Sequence, residues 1–205
     1  MERLLRGYRE FREKRWPAER ARYEELAGNG QKPEYLIIAC SDSRSDPATI
    51  FNGRPGEFFV VRNVAAIVPP YEPDESTHHG TSAAIAFAVL ALDVRNILVM
   101  GHAQCGGVAA ALNQDLTAGI PFLKEWIELL DPAWVHSKDL TDSGARHEAM
   151  ERDCIRLSLE RLLTFPFVEE RFASGALAIH GARFGIADGK LEILDPKTDT
   201  FVAVD

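Results

Sequence analysis

Residues 35–44 read Tyr-Leu-Ile-Ile-Ala-Cys-Ser-Asp-Ser-Arg. Positions 35–39 form an unbroken apolar run, and a half-exposed strand would instead alternate apolar with polar residues. The run therefore predicts a strand buried on both faces, the kind found in parallel sheets layered between helices. The character of the chain changes at Cys40, where a thiol, a carboxylate (Asp42) and a guanidinium (Arg44) follow within five positions. Working outward, Phe58–Val61 and Ile97–Met100 repeat the short apolar run, and the alanine-rich stretch Thr81–Leu92 before the latter predicts a helix. Beyond Gly106 and Gly107, helices are expected over Val108–Leu112, Phe122–Leu130 and Ala145–Leu163. In the last of these Met150, Ile155, Leu159 and Leu162 fall roughly on one stripe. Ala176–His180, Leu191–Leu194 and Phe201–Val204 are separated by the turn signals Asp188-Gly189 and Asp195-Pro196, and read as strands. Strands interleaved with helices imply an α/β fold with a mostly parallel central sheet flanked by helices.

Residues 1–29 differ in kind. They predict a highly charged N-terminal helical arm with Leu4, Tyr8 and Phe11 on one face, a break at Pro17, and an end near Gly28 and Gly30. Such an arm cannot bury much on itself, so it must pack on the body or on a partner subunit. No repeat or low-complexity linker interrupts residues 30–205. The reading is thus one domain spanning 1–205, an arm of 1–29 followed by a catalytic body of 30–205.

A formal net charge of -8 argues against nucleic acid as a partner, because phosphate binding needs a basic excess. The longest apolar runs, such as Ala83–Leu92, are too short to span a bilayer. Arg3, Arg6 and Arg9 are followed by no apolar stretch and are interspersed with Glu2, Glu10 and Glu13, unlike a signal or transit peptide. A cytoplasmic protein is expected. Its 3 cysteines cannot all pair within one chain, which suits a compartment where thiols serve metals or catalysis.

The chemistry concentrates at two strand ends. Cys40 closes the first apolar run, and Gly101-His102-Ala103-Gln104-Cys105-Gly106-Gly107 follows the third. Open parallel sheets bind ligands in the crevice beyond the carboxyl ends of their strands, so two loops can bring two thiols and an imidazole to one point. Thiolate with imidazole selects zinc over the oxygen-seeking calcium and magnesium. Three protein ligands, rather than four, leave a position for water, and zinc can bring the pKa of that water down to about 7. One zinc per chain, held by Cys40, His102 and Cys105, is the expectation. Asp42 then faces a choice between closing the site as a ligand and pairing with Arg44, whose planar fork would keep it ionised and turned away from the metal. Each of these residues alone has an ordinary reading: a single cysteine is a small buried hydrophobe, and Asp-Ser-Arg is a turn. Cys154 and His180 keep that reading, as core packing and a hydrogen-bonded core histidine, and His78 and His79 read as loop residues. The glycines at 106–107 are not followed by the Lys-Ser/Thr of a phosphate loop.

Taken together, Cys-Ser-Asp-Ser-Arg at 40–44, Val-Arg-Asn-Val-Ala at 61–65, Gly-His-x-x-Cys-Gly-Gly at 101–107 and Leu-x-Ile-His-Gly at 177–181 closely resemble the β-class carbonic anhydrases. The resemblance spans nearly the whole chain. It implies a zinc lyase that reversibly hydrates carbon dioxide to bicarbonate and a proton, built as a homodimer or higher homo-oligomer whose arms wrap the partner. It assigns the metal to Cys40, His102 and Cys105 and an orienting dyad to Asp42 and Arg44. Plant-like members place a glutamine and a phenylalanine where this chain has Gln31 and Phe59, and a tyrosine where it has Phe87, so these three are expected to line the substrate pocket. A second subtype, in which the aspartate turns onto the metal, carries a tryptophan where this chain has Ile37; the resemblance is to the open-site subtype. Ala86, Ala66 and Ser45 depart from residues common in the family, and none is a ligand or dyad member. The same fold can host carbon disulfide or carbonyl sulfide hydrolysis. A non-catalytic bicarbonate-sensing zinc protein is the remaining alternative, though it would leave the dyad without a role.

Overall fold

The structure, a computed structural model, describes residues 1–74 and 78–204. It opens with the arm: helix α1 (Glu2–Glu10), a π-helical turn at 11–15, and α2 (Trp16–Asn29). The expected break at Pro17 is absent. Proline sits in the first turn of α2, where its missing N–H would have had no partner, and the rod continues through a π turn instead. That turn gathers Phe11, Trp16 and Tyr23, with the Trp16 and Tyr23 rings 5.1 Å apart and the Arg12 guanidinium over Trp16. No residue of α1 is buried; Leu4 is 71% and Tyr8 60% exposed, so the apolar stripe faces outward.

The body follows as β1 (Tyr35–Cys40), α3 (Pro47–Ile50), β2 (Phe58–Asn63), α4 (Gly80–Ala86) continued by a second π turn at 87–91, and β3 (Asn96–His102). Then come α5 (Gly106–Leu112), α6 (Leu123–Glu128), α7 (Ser143–Leu162), α8 (Pro166–Ala173), β4 (Ala178–Phe184), β5 (Leu191–Asp195) and β6 (Thr200–Ala203). The strands form one six-stranded sheet in the order β2-β1-β3-β4-β5-β6. The first four strands are mutually parallel, and β5 and β6 extend the sheet antiparallel. Every expected strand is present, lengthened or shifted by one to a few residues, so that Cys40 and His102 are themselves the last residues of β1 and β3.

The apolar run at 35–39 behaves as its composition requires. Leu36 and Ile38 point into a core with Ile85, Val89, Ile155 and Leu162 from the helices. Ile37 and Ala39 point to the other face with Met100, Ala182 and the partly buried Ile50 and Phe51. Two glycines let α7 lie directly on the sheet. A Cβ at Gly101 would sit 2.9 Å from Ile155 Cδ1, and one at Gly181 would sit 2.8 Å from Ile155 Cγ2. Among the described residues no helix is long and apolar enough to cross a membrane.

Candidate metal centre

β1 and β3 are adjacent in the sheet and aligned with Ala39 opposite Met100, so their carboxyl ends deliver Cys40 and His102 side by side. The chain then reverses at Gln104, whose φ of 56° is left-handed, and Cys105 becomes the N-cap of α5. Gly107 permits the turn to close. A Cβ there would lie 2.8 Å from the Ala65 Cβ, in the loop after β2. That loop is itself left-handed at Ala65 and Ala66. Asn63 holds it by accepting the Ile67 N–H and donating to the Ile67 carbonyl, both at 2.8 Å.

The Sγ atoms of Cys40 and Cys105 stand 3.9 Å apart, and all three candidate ligand atoms lie within 4.8 Å of one another. A disulfide would need about 2.05 Å. Two sulfurs each about 2.3 Å from a tetrahedral zinc would be separated by roughly 3.8 Å, so the spacing fits the ion and not the bond. The donors are dry: Cys40, His102 and Cys105 are 5%, 1% and 3% exposed. His102 is set as a ligand. Its Nδ1 lies 2.9 Å from the Ala103 carbonyl, which places the proton there and leaves Nε2 as a lone pair. That Nε2 is buried and has no hydrogen-bond partner among the described residues, a cost that a metal would remove. The thiols share a hydrogen bond that holds Cys40 down at about 4, while the same bond and burial push Cys105 up.

Asp42 sits at the rim of this cluster, its Oδ2 3.8 Å from His102 Nε2. Arg44 grips it as a fork, Nε to Oδ1 at 2.9 Å and Nη2 to Oδ2 at 2.7 Å, and the Arg44 main-chain N–H adds a third bond to Oδ1. The hydrogen bond from Arg44 holds the Asp42 carboxyl well below the usual carboxylate range. The expected dyad is therefore formed in one chain beside the expected ligands, with the carboxylate turned to the guanidinium. Ser45, fully buried, closes the Asp42 turn by donating to its carbonyl.

The three expected pocket residues lie elsewhere in the chain. Phe59 is opposite Leu36 in β1 and Asn63 is opposite Cys40, so Phe59 is four residues, about 13 Å, back along the strand from the cluster. The Phe87 ring packs on Phe59 with centroids 5.8 Å apart and is half exposed. Gln31 precedes β1 at that same amino-terminal side, in a depression lined also by Asp93 and Arg95. Within one chain the structure brings none of the three to Cys40.

Two charged groups that sequence reasoning passed over support the site. Arg62, the second residue of the quoted Val-Arg-Asn-Val-Ala stretch, donates to the carbonyls of Cys40 and Asp42 at 2.9 and 2.6 Å and to Asp46 at 3.0 Å, fixing the strand end. Glu151, buried on α7, accepts the N–H of Gln104. Cys154 is buried among apolar neighbours and burial pushes its thiol up, in line with a packing role.

The family model described as carbonic anhydrase matches residues 35–191. "Beta carbonic anhydrase 3" of Arabidopsis thaliana is 36% identical over 206 residues, covering 97% of this chain and 79% of that protein. "Beta carbonic anhydrase 5, chloroplastic" of the same plant is 38% identical over 83% of this chain, which spans only 56% of that relative's length. The solved structure of the β-carbonic anhydrase CcaA matches all of this chain and 92% of its own at a TM-score of 0.92 and 32% identity. A tetrameric β-carbonic anhydrase from Sordaria macrospora matches at a TM-score of 0.82 and 30% identity, over 100% of this chain and 98% of its own.

Proposed function

Because the chain belongs to the carbonic anhydrase family, in its β class, we propose that it holds one zinc on Cys40, His102 and Cys105 and reversibly hydrates carbon dioxide. The observation that carries the reading is a buried His102 Nε2, without a hydrogen-bond partner among the described residues, within 4.8 Å of two thiols and flanked by a carboxylate paired to Arg44. Zinc bound there supplies a Lewis acid that makes water a nucleophile near neutral pH. Asp42, whose Oδ2 lies at the rim of the cluster, would accept a hydrogen bond from a water activated there and so orient it toward carbon dioxide. Arg44 keeps Asp42 charged and away from the metal position, which is the open-site arrangement. Dry, apolar walls behind the thiols strengthen these interactions.

Gln31, Phe59 and Phe87 enter the proposal through assembly. The half-exposed Phe87 and the outward stripe of α1 are surfaces that a second copy would cover, and a homo-oligomer would let one chain's Gln31, Phe59 and Phe87 line its neighbour's pocket. The tetrameric relative supports a homo-oligomer. A cytoplasmic location stays part of the reading, to be checked by cell fractionation. The deciding experiment is stopped-flow carbon dioxide hydration on protein whose zinc has been quantified. About one zinc per chain with rapid hydration is expected; protein that carries zinc but hydrates no faster than buffer overturns the proposal.

A further inference from the structure

We infer that Glu151 is a positioning residue for the metal centre, its buried carboxylate holding the left-handed turn that presents His102 and Cys105 together. The inference rests on the reading of those residues as zinc ligands.

Glu151 is 3% exposed, and a carboxylate so deeply buried must be compensated. Its Oε1 accepts the main-chain N–H of Gln104 at 2.5 Å and lies 3.3 Å from His147 Nε2. Its Oε2 accepts Arg183 Nε at 2.7 Å. Gln104 is the residue whose positive φ reverses the chain between the two ligands. A non-glycine residue in that conformation persists only where its surroundings hold it, and a charged acceptor on its N–H is such a hold. The carbonyl of the same Gln104 faces Arg44 Nη2 at 3.5 Å. One residue is thus held by its N–H from α7 and meets the dyad through its C=O, so the turn that places the ligands also registers the guanidinium that holds Asp42.

The anchor is rigid. Ile155, one helical turn after Glu151, sits against Gly101 and Gly181 with no room for a Cβ at either, which fixes the height of α7 over β3 and β4. Arg183 projects from β4 opposite Gly101 and is held in turn by Glu192 at 3.0 Å. Glu192 also takes Arg152, which pairs with Glu148 at the far end of the chain of charges.

The test uses Glu151→Gln in the zinc-loaded enzyme. An amide accepts through one atom only, so whichever way it turns, a donor faces a donor at Gln104 or at Arg183. Zinc affinity by chelator competition should fall at least tenfold, the scale on which ligand-supporting groups act. The thiolate-to-cobalt band of the cobalt-substituted protein should shift, and far-UV ellipticity should be unchanged. Arg183→Lys, a milder change that leaves a cation beside the carboxylate, should move both readouts in the same direction by a smaller factor, and it decides the matter if Glu151→Gln does not fold. Arg152→Met breaks ion pairs of the same network away from the turn and should lower Tm without touching zinc affinity or the cobalt spectrum. Wild-type zinc affinity and cobalt spectrum in Glu151→Gln, or in Arg183→Lys if that must stand alone, overturn the inference. So does Arg152→Met losing zinc as severely. Wild-type protein that binds no zinc overturns both this inference and the functional reading beneath it.

Discussion

At the residue scale, ligand and dyad roles separate cleanly under substitution. Cys40→Ala, His102→Ala or Cys105→Ala removes one of three donors, and each variant should lose both zinc and hydration activity, by metal analysis and stopped flow. Asp42→Asn keeps the donors and loses only the charged acceptor; it should retain most of its zinc while turnover drops on the order of 10²-fold. Wild-type turnover in Asp42→Asn would end the orienting role. The pH dependence has a definite sign. Arg44 depresses the Asp42 pKa, so the pair's contribution is complete above the ordinary carboxylate pKa and fades only as pH falls through the depressed value. Activity lost between pH 7 and 5 should therefore be equally lost in Asp42→Asn, measured relative to its own maximum. The Cys40–His102–Cys105 cluster and the Asp42–Arg44 pair were legible because residue type and spacing pick them out: thiols and imidazole at strand ends, aspartate and arginine two positions apart. Arg62 and Glu151 were not. A lone arginine in a strand and a glutamate on a charged helix look like solvent-facing residues until register and helix height place them against main-chain groups.

At the scale of elements, burial on both faces left an unbroken apolar signature at β1 and β3, a shorter apolar run marked the less buried β2, and turn residues marked off β4, β5 and β6. What they missed is backbone detail without a side-chain signal. The π turns at 11–15 and 87–91 interrupt ordinary helix-forming residues, and the left-handed Ala65 and Ala66 occupy a conformation usually given to glycine. The short α8 begins at Pro166 and carries no periodic stripe long enough to read. The loop after β2 and the start of α5 are locked by a missing methyl group. Gly107→Ala would press its Cβ to 2.8 Å from that of Ala65 and 2.9 Å from Val64 Cγ1. It should destabilise the fold by about 1–3 kcal/mol in denaturant titration, as overpacking does, and weaken zinc retention because α5 begins at the proposed ligand Cys105. Unchanged stability would mean the loop can retreat freely.

For the whole molecule, the arm and the Phe59–Phe87 pair pose the same question, because both present apolar surface that the single chain leaves uncovered. Phe59, Phe87 and Gln31 were linked to a pocket by resemblance alone, since no pattern in one chain bears on the proposed contact across a subunit boundary. Deleting residues 1–26 should shift the protein toward monomer in analytical ultracentrifugation and reduce activity, and a fully active monomer would count against assembly across the arm. Removing zinc should lower Tm by roughly 5–10 °C when the ion was present at about 100 times its dissociation constant. The donors also carry a record of time. Cys40 and His102 belong to strands that pair only after β2 and α4 have passed between them in the chain, whereas His102 and Cys105 stay neighbours even in a disordered chain. With zinc held as proposed, its grip would break when β1 parts from β3, not when the arm frays. Zinc captured by a coloured chelator during unfolding in denaturant should therefore appear at the rate of the slow loss of far-UV ellipticity, making the ion a clock for the separation of the two central strands.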